Sequence, residues 1–258
     1  MAGPPMPPMN TCAEKAIRSA NAGAIINNHA RIVRRLGIEM IDLRLGDCRD
    51  ILKSIGAVDT VITDPVWPNT PEGMFEDIAD PQTLLAEALA LADCRRLVIV
   101  LRGDSDPRFL QAVPQRWPFF RAQILPYVVP GYIGRKLGGD EIAYCFGEPL
   151  DSAPGRKVIP GRAPAAQPVH RRANGHPCSR SLTHMLWLVK WWSLPGETIL
   201  DPFMGSGTTG VAAVQQERNF IGCEVDETYF NLARKHLSEC QKPLPTMIAQ
   251  AEAMLPGI

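Results

Sequence analysis

Short apolar runs and helical apolar spacing alternate along this chain almost from end to end. Ile38 to Leu45 alternates apolar and polar positions as a half-buried strand does, and Thr60 to Thr63 and Leu97 to Leu101 are compact β-forming runs. Leu97 to Leu101 is apolar throughout, the pattern of a strand covered on both faces. Further strands are predicted at Phe120 to Tyr127, Glu141 to Phe146, Thr198 to Leu200 and Phe220 to Val225. Between them the spacing predicts helices: a short one at Arg49 to Ile55, an apolar one at Gln82 to Ala92, and another short one begun by Asp106-Pro107 and stopped at Pro114. Asp80-Pro81 supplies the second of these with a cap and a proline at the first helical position. Later helices are predicted at Ser181 to Trp192, with Leu182, Met185, Leu186, Val189 and Trp192 on one stripe, and at Val211 to Glu217. The last, Glu227 to Cys240 behind an Asp226 cap, turns Tyr229, Leu232, Ala233 and Leu237 toward the sheet. Cys12 to Leu36 has intermittent helical spacing and ends at Gly37. Alternating strands and helices predict an α/β fold with a doubly wound, mostly parallel sheet, and the strands near Phe120 and Glu141 predict a late antiparallel pair.

The segment that organises this pattern is Thr198 to Val225. Gly205-Ser206-Gly207-Thr208-Thr209-Gly210 fits G-x-G-x-x-G between a strand and a helix, and Glu224 closes the next strand about twenty residues later, where an acid accepts ribose hydroxyls. Glycines alone serve tight packing equally well, so the flanking acids carry the reading. Asp201, at the strand tip ahead of the glycines, would repel the pyrophosphate of a dinucleotide but attract an ammonium group. S-adenosylmethionine carries that ammonium, a carboxylate for the helix N-terminus and a ribose for Glu224. Only 48 residues follow Gly210, too few for the remaining strands of a doubly wound sheet. The missing half must lie upstream, so the order is expected to be circularly permuted.

A second tip stands out at Asp64-Pro65-Val66-Trp67. Open α/β sheets bind ligands beyond the carboxyl ends of their strands. An acid, a rigid proline carbonyl and a flat indole there would suit an amino group on a planar ring, which needs hydrogen acceptors and a stacking surface. Net charge is zero, so attraction to nucleic acid has to come from a local patch. From Ser152 to Gly196 there are seven basic residues, Arg156, Lys157, Arg162, Arg171, Arg172, Arg180 and Lys190, and no acid. The proline- and glycine-rich part to Gly175 is expected to be a flexible loop suited to a phosphate backbone, helped by Arg135 and Lys136 in the Pro130 to Gly139 turn; Arg31, Arg34 and Arg35 read first as a solvated face, with phosphate contact the alternative. Seven scattered cysteines at no metal-binding spacing argue for reduced thiols, a cytoplasmic setting and no metal. No apolar run approaches the ~20 residues of a membrane span.

With these residues in place, the chain resembles the amino-group DNA methyltransferases, in the permuted (β) order. Asp201-Pro202-Phe203 with Gly205-Ser206-Gly207-Thr208-Thr209 is similar to that family's cofactor motif, and Glu224 to its ribose-binding acid. Gly46-Asp47 resembles the segment beside the cofactor adenine, and His176-Pro177 the motif ahead of the cofactor strand. Asp64-Pro65-Val66-Trp67 resembles the catalytic Asp-Pro-Pro-aromatic motif, with Val66 where the family has its second proline. The resemblance covers roughly residues 38 to 150 and 175 to 240. It implies a Rossmann-like methyltransferase sheet that binds S-adenosylmethionine and acts on duplex DNA with the target base flipped out, and it allows a homodimer. Asp64, where many cytosine-amino members carry Ser, implies adenine; cytosine remains the alternative.

The expected organisation is a proline-rich tail and helical arm over 1–37, a catalytic half over 38–150, a short basic loop over 151–175 in place of a target-recognition region, a cofactor-binding half over 176–242 and a tail over 243–258. Two rival readings are a non-catalytic DNA-binding module that retains the cofactor fold and a nicotinamide oxidoreductase, which would need a pyrophosphate beside Asp201.

Overall fold

The computed structural model describes residues 41–67, 69, 80–128, 132–133, 136–137, 139–153, 158–167 and 179–240. The expected N-terminal arm with Arg31, Arg34 and Arg35, and the tail beyond 240, lie outside them. In chain order the elements are β1 (Ile41–Leu45), α1 (Cys48–Ile51) continued by a 3₁₀ turn (Leu52–Ser54), β2 (Val58–Thr63), α2 (Pro81–Leu91), β3 (Cys94–Arg102), a 3₁₀ segment (Pro107–Ala112) and β4 (Phe119–Leu125). There follow β5 (Tyr132–Ile133), β6 (Lys136–Leu137), β7 (Glu141–Gly147), α3 (Leu182–Trp192), β8 (Thr198–Asp201), α4 (Thr208–Val214), β9 (Asn219–Glu224) and α5 (Glu227–Cys240).

Seven strands form one sheet in the order β1-β9-β8-β2-β3-β7-β4, and β5 and β6 pair separately as a short antiparallel hairpin. The pairs from β1 to β3 are parallel; β7 runs antiparallel to both β3 and β4. Counted from β8 as though it came first, β1-β9-β8-β2-β3 reads third, second, first, fourth, fifth, the doubly wound order. The glycine-bearing β8–α4–β9 unit therefore sits in the middle of the sheet although it comes last in the chain. The fold is a circularly permuted Rossmann-like sheet, mostly parallel with a late antiparallel strand.

The apolar runs divide between two faces at a period of two. In β3, Leu97, Ile99 and Leu101 join a core under α1 and α2 with Leu85, Leu89 and Trp117, while Val98 and Val100 join the opposite core under α3, α4 and α5. Ile199 and Leu200 of β8 split the same way, as do Phe220 and Ile221 of β9. At the amino ends of the strands, buried Arg96 donates to Thr60 Oγ1 (3.0 Å) and pairs with Glu197 (2.6 Å), and Thr60 Oγ1 donates to the Trp192 carbonyl (2.9 Å). The cation thus has partners on β2 and next to β8, as a buried charge requires.

Three details differ from the sequence reading. First, α4 begins at Thr208, directly on Gly207, and ends at Val214; the following turn places Glu217 at φ 64°. Second, the buried residues of α3 include His184 and Leu188, while Leu182 and Leu186 are only partly covered, because the helix is clamped between α4 and the β4 end of the sheet. Third, residues 158–167 are not a free loop. Ile124 N donates to Gly161 O (2.9 Å), Ala163 N to Ile124 O (2.9 Å), Ala166 N to Pro126 O (2.9 Å) and Val128 N to Ala166 O (2.9 Å). The segment covers the edge of β4, whose backbone groups would otherwise be unpaired.

The third glycine of the motif illustrates how tightly this unit is packed. A Cβ on Gly210 would lie 2.5 Å from the Phe220 ring and 3.1 Å from Leu237, so α4 can approach β9 only without one. Gly210→Ala is expected to destabilise the fold by about 1–3 kcal/mol, measured as a lower urea midpoint at unchanged slope. An unchanged midpoint would show that the helix has room to shift.

Candidate active site

The site is built where the winding of the sheet reverses. β2 and β8 lie side by side in parallel, Thr60 opposite Ile199 and Val61 opposite Leu200, with the crossovers from each leading away to opposite sides. Their carboxyl ends therefore open a crevice together, the ligand position of a doubly wound sheet. Thr63 Oγ1, at the tip of β2, donates to Asp201 Oδ1 at the tip of β8 (2.8 Å), and the next residue on the β2 side is Asp64.

On the β8 side, Asp201 is 1% exposed. It accepts from Thr63 and from Phe203 N (3.1 Å), and burial pushes its carboxyl up to about 6 against the pull of these donors and of Thr209. Phe203 packs half-buried on the α1/α2 core, and Met204 N bonds to the Cys223 carbonyl (3.0 Å), so the loop is pinned to β9 before its glycines begin. Gly205 (φ 50°) and Gly207 (φ 80°) take left-handed backbone, and a Cβ on Gly207 would also meet the Ala233 Cβ at 2.9 Å. The buried Ser206 hydroxyl lies 3.0 Å from that of Ser179, and its carbonyl 2.9 Å from His236 Nδ1. Thr208 opens α4, and Thr209 is buried beneath it. Glu224 folds over this loop, Oε2 accepting from Gly205 N (2.9 Å) and Oε1 from Asp226 N (2.9 Å); its carboxyl too is raised, mainly by burial. Gly46 N donates to the Glu224 carbonyl (2.8 Å), which brings Asp47 to the same end of the sheet. Asp47 caps α1 through Arg49 N (2.8 Å) and also pairs with the Arg49 guanidinium.

On the β2 side, Asp64 is the acceptor for three donors. Arg180 grips it in a fork, Nε to Oδ2 at 2.5 Å and Nη2 to Oδ1 at 2.8 Å, and Trp67 Nε1 donates to Oδ1 at 3.1 Å. Arg180 also pairs with Glu141, the first residue of β7, and its guanidinium lies 4.2 Å from the centroid of the Trp67 ring. Burial pushes the Asp64 carboxyl up; Arg180 opposes this, while Glu141 and Asp201 add to it, and the balance is about 7. Pro65 is buried and Val66 half-buried. The sequence reading gave Trp67 an open stacking face. In the structure the indole is 6% exposed and covered by Arg180, with Arg102 a further 5.6 Å from its centroid, because the loop folds back so that the indole N–H reaches Asp64.

The structure thus brings together Asp64, Pro65, Val66 and Trp67 with Asp201, Phe203, Gly205, Ser206, Gly207, Thr208, Thr209 and Glu224. His176, Arg135, Arg156, Lys157, Arg171 and Arg172 lie outside the described residues, and Lys136 is placed only as backbone of β6. Arg162 is exposed on the segment bridged to Ile124 at the β4 edge. Two residues of the site went unrecognised in the sequence. Arg180 had been grouped with the solvent-facing basic residues, yet its side chain is 9% exposed, and Glu141 was simply the start of a strand. Neither has a motif; they are separated from Asp64 by 116 and 77 positions, and only the fold joins them.

Comparison with known proteins agrees with this geometry. Residues 58–235 match the DNA methylase family N6_N4_Mtase, and the chain belongs to it. The putative methylase YubD of Escherichia coli K12 is 31% identical over 235 residues, covering 82% of this chain and 96% of YubD. The type II methyltransferase M.BglI of Bacillus subtilis is 41% identical over 70 residues; the match spans 27% of this chain but only 20% of M.BglI. Among solved structures, M1.HpyAVI in complex with S-adenosylmethionine superposes with a TM-score of 0.60 at 26% identity, covering 77% of this chain and 99% of that one. The cytosine-N4-specific PvuII DNA methyltransferase, at 13% identity and a TM-score of 0.55 over 82% and 91% of the two chains, shares the fold.

The cradle fits S-adenosylmethionine. Asp201 and Glu224 are held by neutral donors, with no Lys or Arg paired to either among the described residues, so a ligand ammonium would relieve the carboxylate that burial disfavours. Among the described residues no cluster of His, Cys, Asp and Glu is arranged for a metal, and no helix is long and apolar enough to cross a membrane. Asp201→Ala and Glu224→Ala are each expected to weaken S-adenosylmethionine about ten- to a hundredfold in calorimetry, the loss of a hydrogen bond to a charged group. Pairing with a cation also lowers the Asp201 pKa, so binding should expel a proton. Affinity should then rise as pH increases through about 6 and fall below it. A pH-independent affinity would show that Asp201 does not meet the ammonium.

Proposed function

We propose that this chain transfers a methyl group from S-adenosylmethionine to the exocyclic amino group of adenine in DNA. The observation that carries the reading is the adjacency of the two tips: Asp64, oriented by three N–H donors with acceptor capacity remaining, follows the residue whose hydroxyl holds Asp201. S-adenosylmethionine, when bound, supplies an electrophilic methyl. The residues of the β2 tip act on the amine. Asp64 accepts one of its hydrogens and the Pro65 carbonyl the other, keeping the nitrogen lone pair directed away from both and stabilising positive charge as the new bond forms. The surplus proton of the methylated nitrogen passes by way of the Asp64 carboxylate to water, and no covalent attachment to the protein is required. The target base has to leave the duplex stack to reach this depth, with its amino group at the β2 tip.

Adenine is favoured over cytosine by the carboxylate at position 64, on the resemblance given above. A carboxylate at the cofactor tip with only neutral partners speaks against the nicotinamide alternative. The DNA-facing surface is assigned to Arg135, Lys136, Arg156, Lys157, Arg162, Arg171 and Arg172. In a duplex complex each phosphate they neutralise releases condensed counterions. A homodimer would extend this surface.

Duplex DNA treated with the protein and labelled S-adenosylmethionine, then digested to nucleosides, should yield N6-methyldeoxyadenosine. N4-methyldeoxycytidine alone would move the assignment to cytosine, and retarded but unlabelled DNA would make the chain a binding module. Asp64→Ala should lower kcat about 10²- to 10³-fold with cofactor affinity retained. For the DNA surface, replacing Arg171 and Arg172 with Gln should reduce the slope of log affinity against log salt by about 0.9 per lost phosphate contact. An unaltered slope would exclude these two residues from the interface.

A further inference from the structure

Three carboxylates are drawn together at the carboxyl end of the sheet: Asp64 after β2, Glu141 at the start of β7 and Asp201 at the end of β8. Glu141 and Asp201 are buried, at 5% and 1% exposure. Like charges this close disfavour one another's ionised forms, and the low local dielectric amplifies the effect. One cation stands among them. Arg180 engages both oxygens of Asp64 and also Glu141, and it lies flat on Trp67. A guanidinium does not lose its proton in a protein, and its planar fork matches a carboxylate in two bonds at once, which fixes orientation as well as charge.

Among the described residues, the other groups facing this cluster are not paired with Asp64. Arg102 approaches the Trp67 ring and pairs with Asp104 (2.6 Å). The Tyr127 phenol is raised by burial and then by Glu141. His184 of α3, stacked edge-on against Tyr127, is held below the ordinary histidine range by burial. The residue before Arg180 is Ser179, whose hydroxyl meets Ser206 of the glycine loop, so the same short segment touches both halves of the site.

We propose that Arg180 is a positioning residue for the methyl-transfer reaction: it keeps Asp64 charged and fixes both its oxygens beside Trp67, so that the carboxylate is ready to accept from the target amine. This rests on the reading of Asp64 as the amine acceptor. It adds to that reading a requirement for a cation brought from a distant part of the chain. Even with Arg180 in place burial holds the Asp64 carboxyl above the ordinary carboxylate range, so activity should fall on the acid side as that group takes up a proton. Without it, burial, Glu141 and Asp201 act unopposed and the carboxyl moves higher still.

The test uses the full chain and two readouts. The first is titration of the Asp64 carboxyl by NMR with carbon-13-labelled aspartate, without DNA, its signal identified by loss in Asp64→Asn. The second is the acid limb of kcat for DNA methylation. Arg180→Met should raise both midpoints by about 1–3 pH units, the usual effect of removing an adjacent opposite charge. Arg180→Lys should restore the midpoints toward the unaltered value but recover kcat only in part, since it returns the charge without the fork. Glu141→Gln, which retains Arg180 and removes a competing charge, should move both midpoints down. Opposite shifts in these variants are not expected of a residue that only supports the fold. Unmoved midpoints in Arg180→Met with cofactor affinity intact, or in Glu141→Gln if the former does not fold, would overturn the proposal. If the carboxyl midpoint shifts as described while even the unaltered chain methylates no DNA, the clamp stands and the methyl-transfer reading fails.

Discussion

Everything functional in this chain depends on one strand pairing, β2 beside β8. It joins Thr60 and Val61 to Ile199 and Leu200 across more than half of the sequence and sets the two strand tips side by side, while the β1–β9 pair links the same halves farther out in the sheet. Because the pairing is parallel, the two strands end on the same side, and because the winding reverses between them, no crossover covers the gap. Covering by helices on both faces makes the middle of the central strands apolar, as in Val61–Ile62 and Leu97–Leu101, and leaves polar side chains toward their ends.

That geometry concentrates acids. Asp64 follows β2 and Asp201 ends β8, Glu141 opens antiparallel β7 on the far side of β3, and Glu224 closes β9 beside β8. Burial raises Asp64, Asp201 and Glu224 together, so each carboxylate needs a compensating group if it is to be charged at neutral pH. The chain itself supplies one cation, Arg180, to the β2 side. Among the described residues the β8 side has only neutral donors, consistent with a cofactor that brings its own positive charge. The two tips differ in this respect although they are joined through the Thr63 hydroxyl, and the difference separates a base-facing acid from a cofactor-facing one.

The segment 158–167 is docked on the sheet where its composition suggests a free loop. Its alanines and prolines leave little side chain to hinder close approach, and its backbone pairs along β4 with Ala163 and Ala166 buried. Arg162 is consequently carried on a supported edge of the sheet rather than on a free loop. A basic side chain held there can contribute to a phosphate-binding surface with less loss of conformational entropy than one on a disordered chain.

The sequence by itself determined the elements, the permuted order and the cofactor cradle, since these depend on local pattern: apolar period, Asp-Pro caps, and an acid–glycine–acid arrangement within 24 residues, Asp201 to Glu224. The helix Glu227–Cys240 has the bounds expected, and the doubly buried strand expected at Leu97 to Leu101 extends over Cys94–Arg102. What only the tertiary structure decided is how charges pair. An arginine in a basic stretch reads as solvent-facing until the fold brings it to a buried acid 116 positions earlier, and a tryptophan after Asp-Pro-Val reads as an open platform until that arginine is laid upon it. Local propensity acts over a few residues, whereas the ionisation of a buried carboxylate is set by whatever lies within a few ångströms of it, and that neighbourhood exists only once the strands have been ordered side by side.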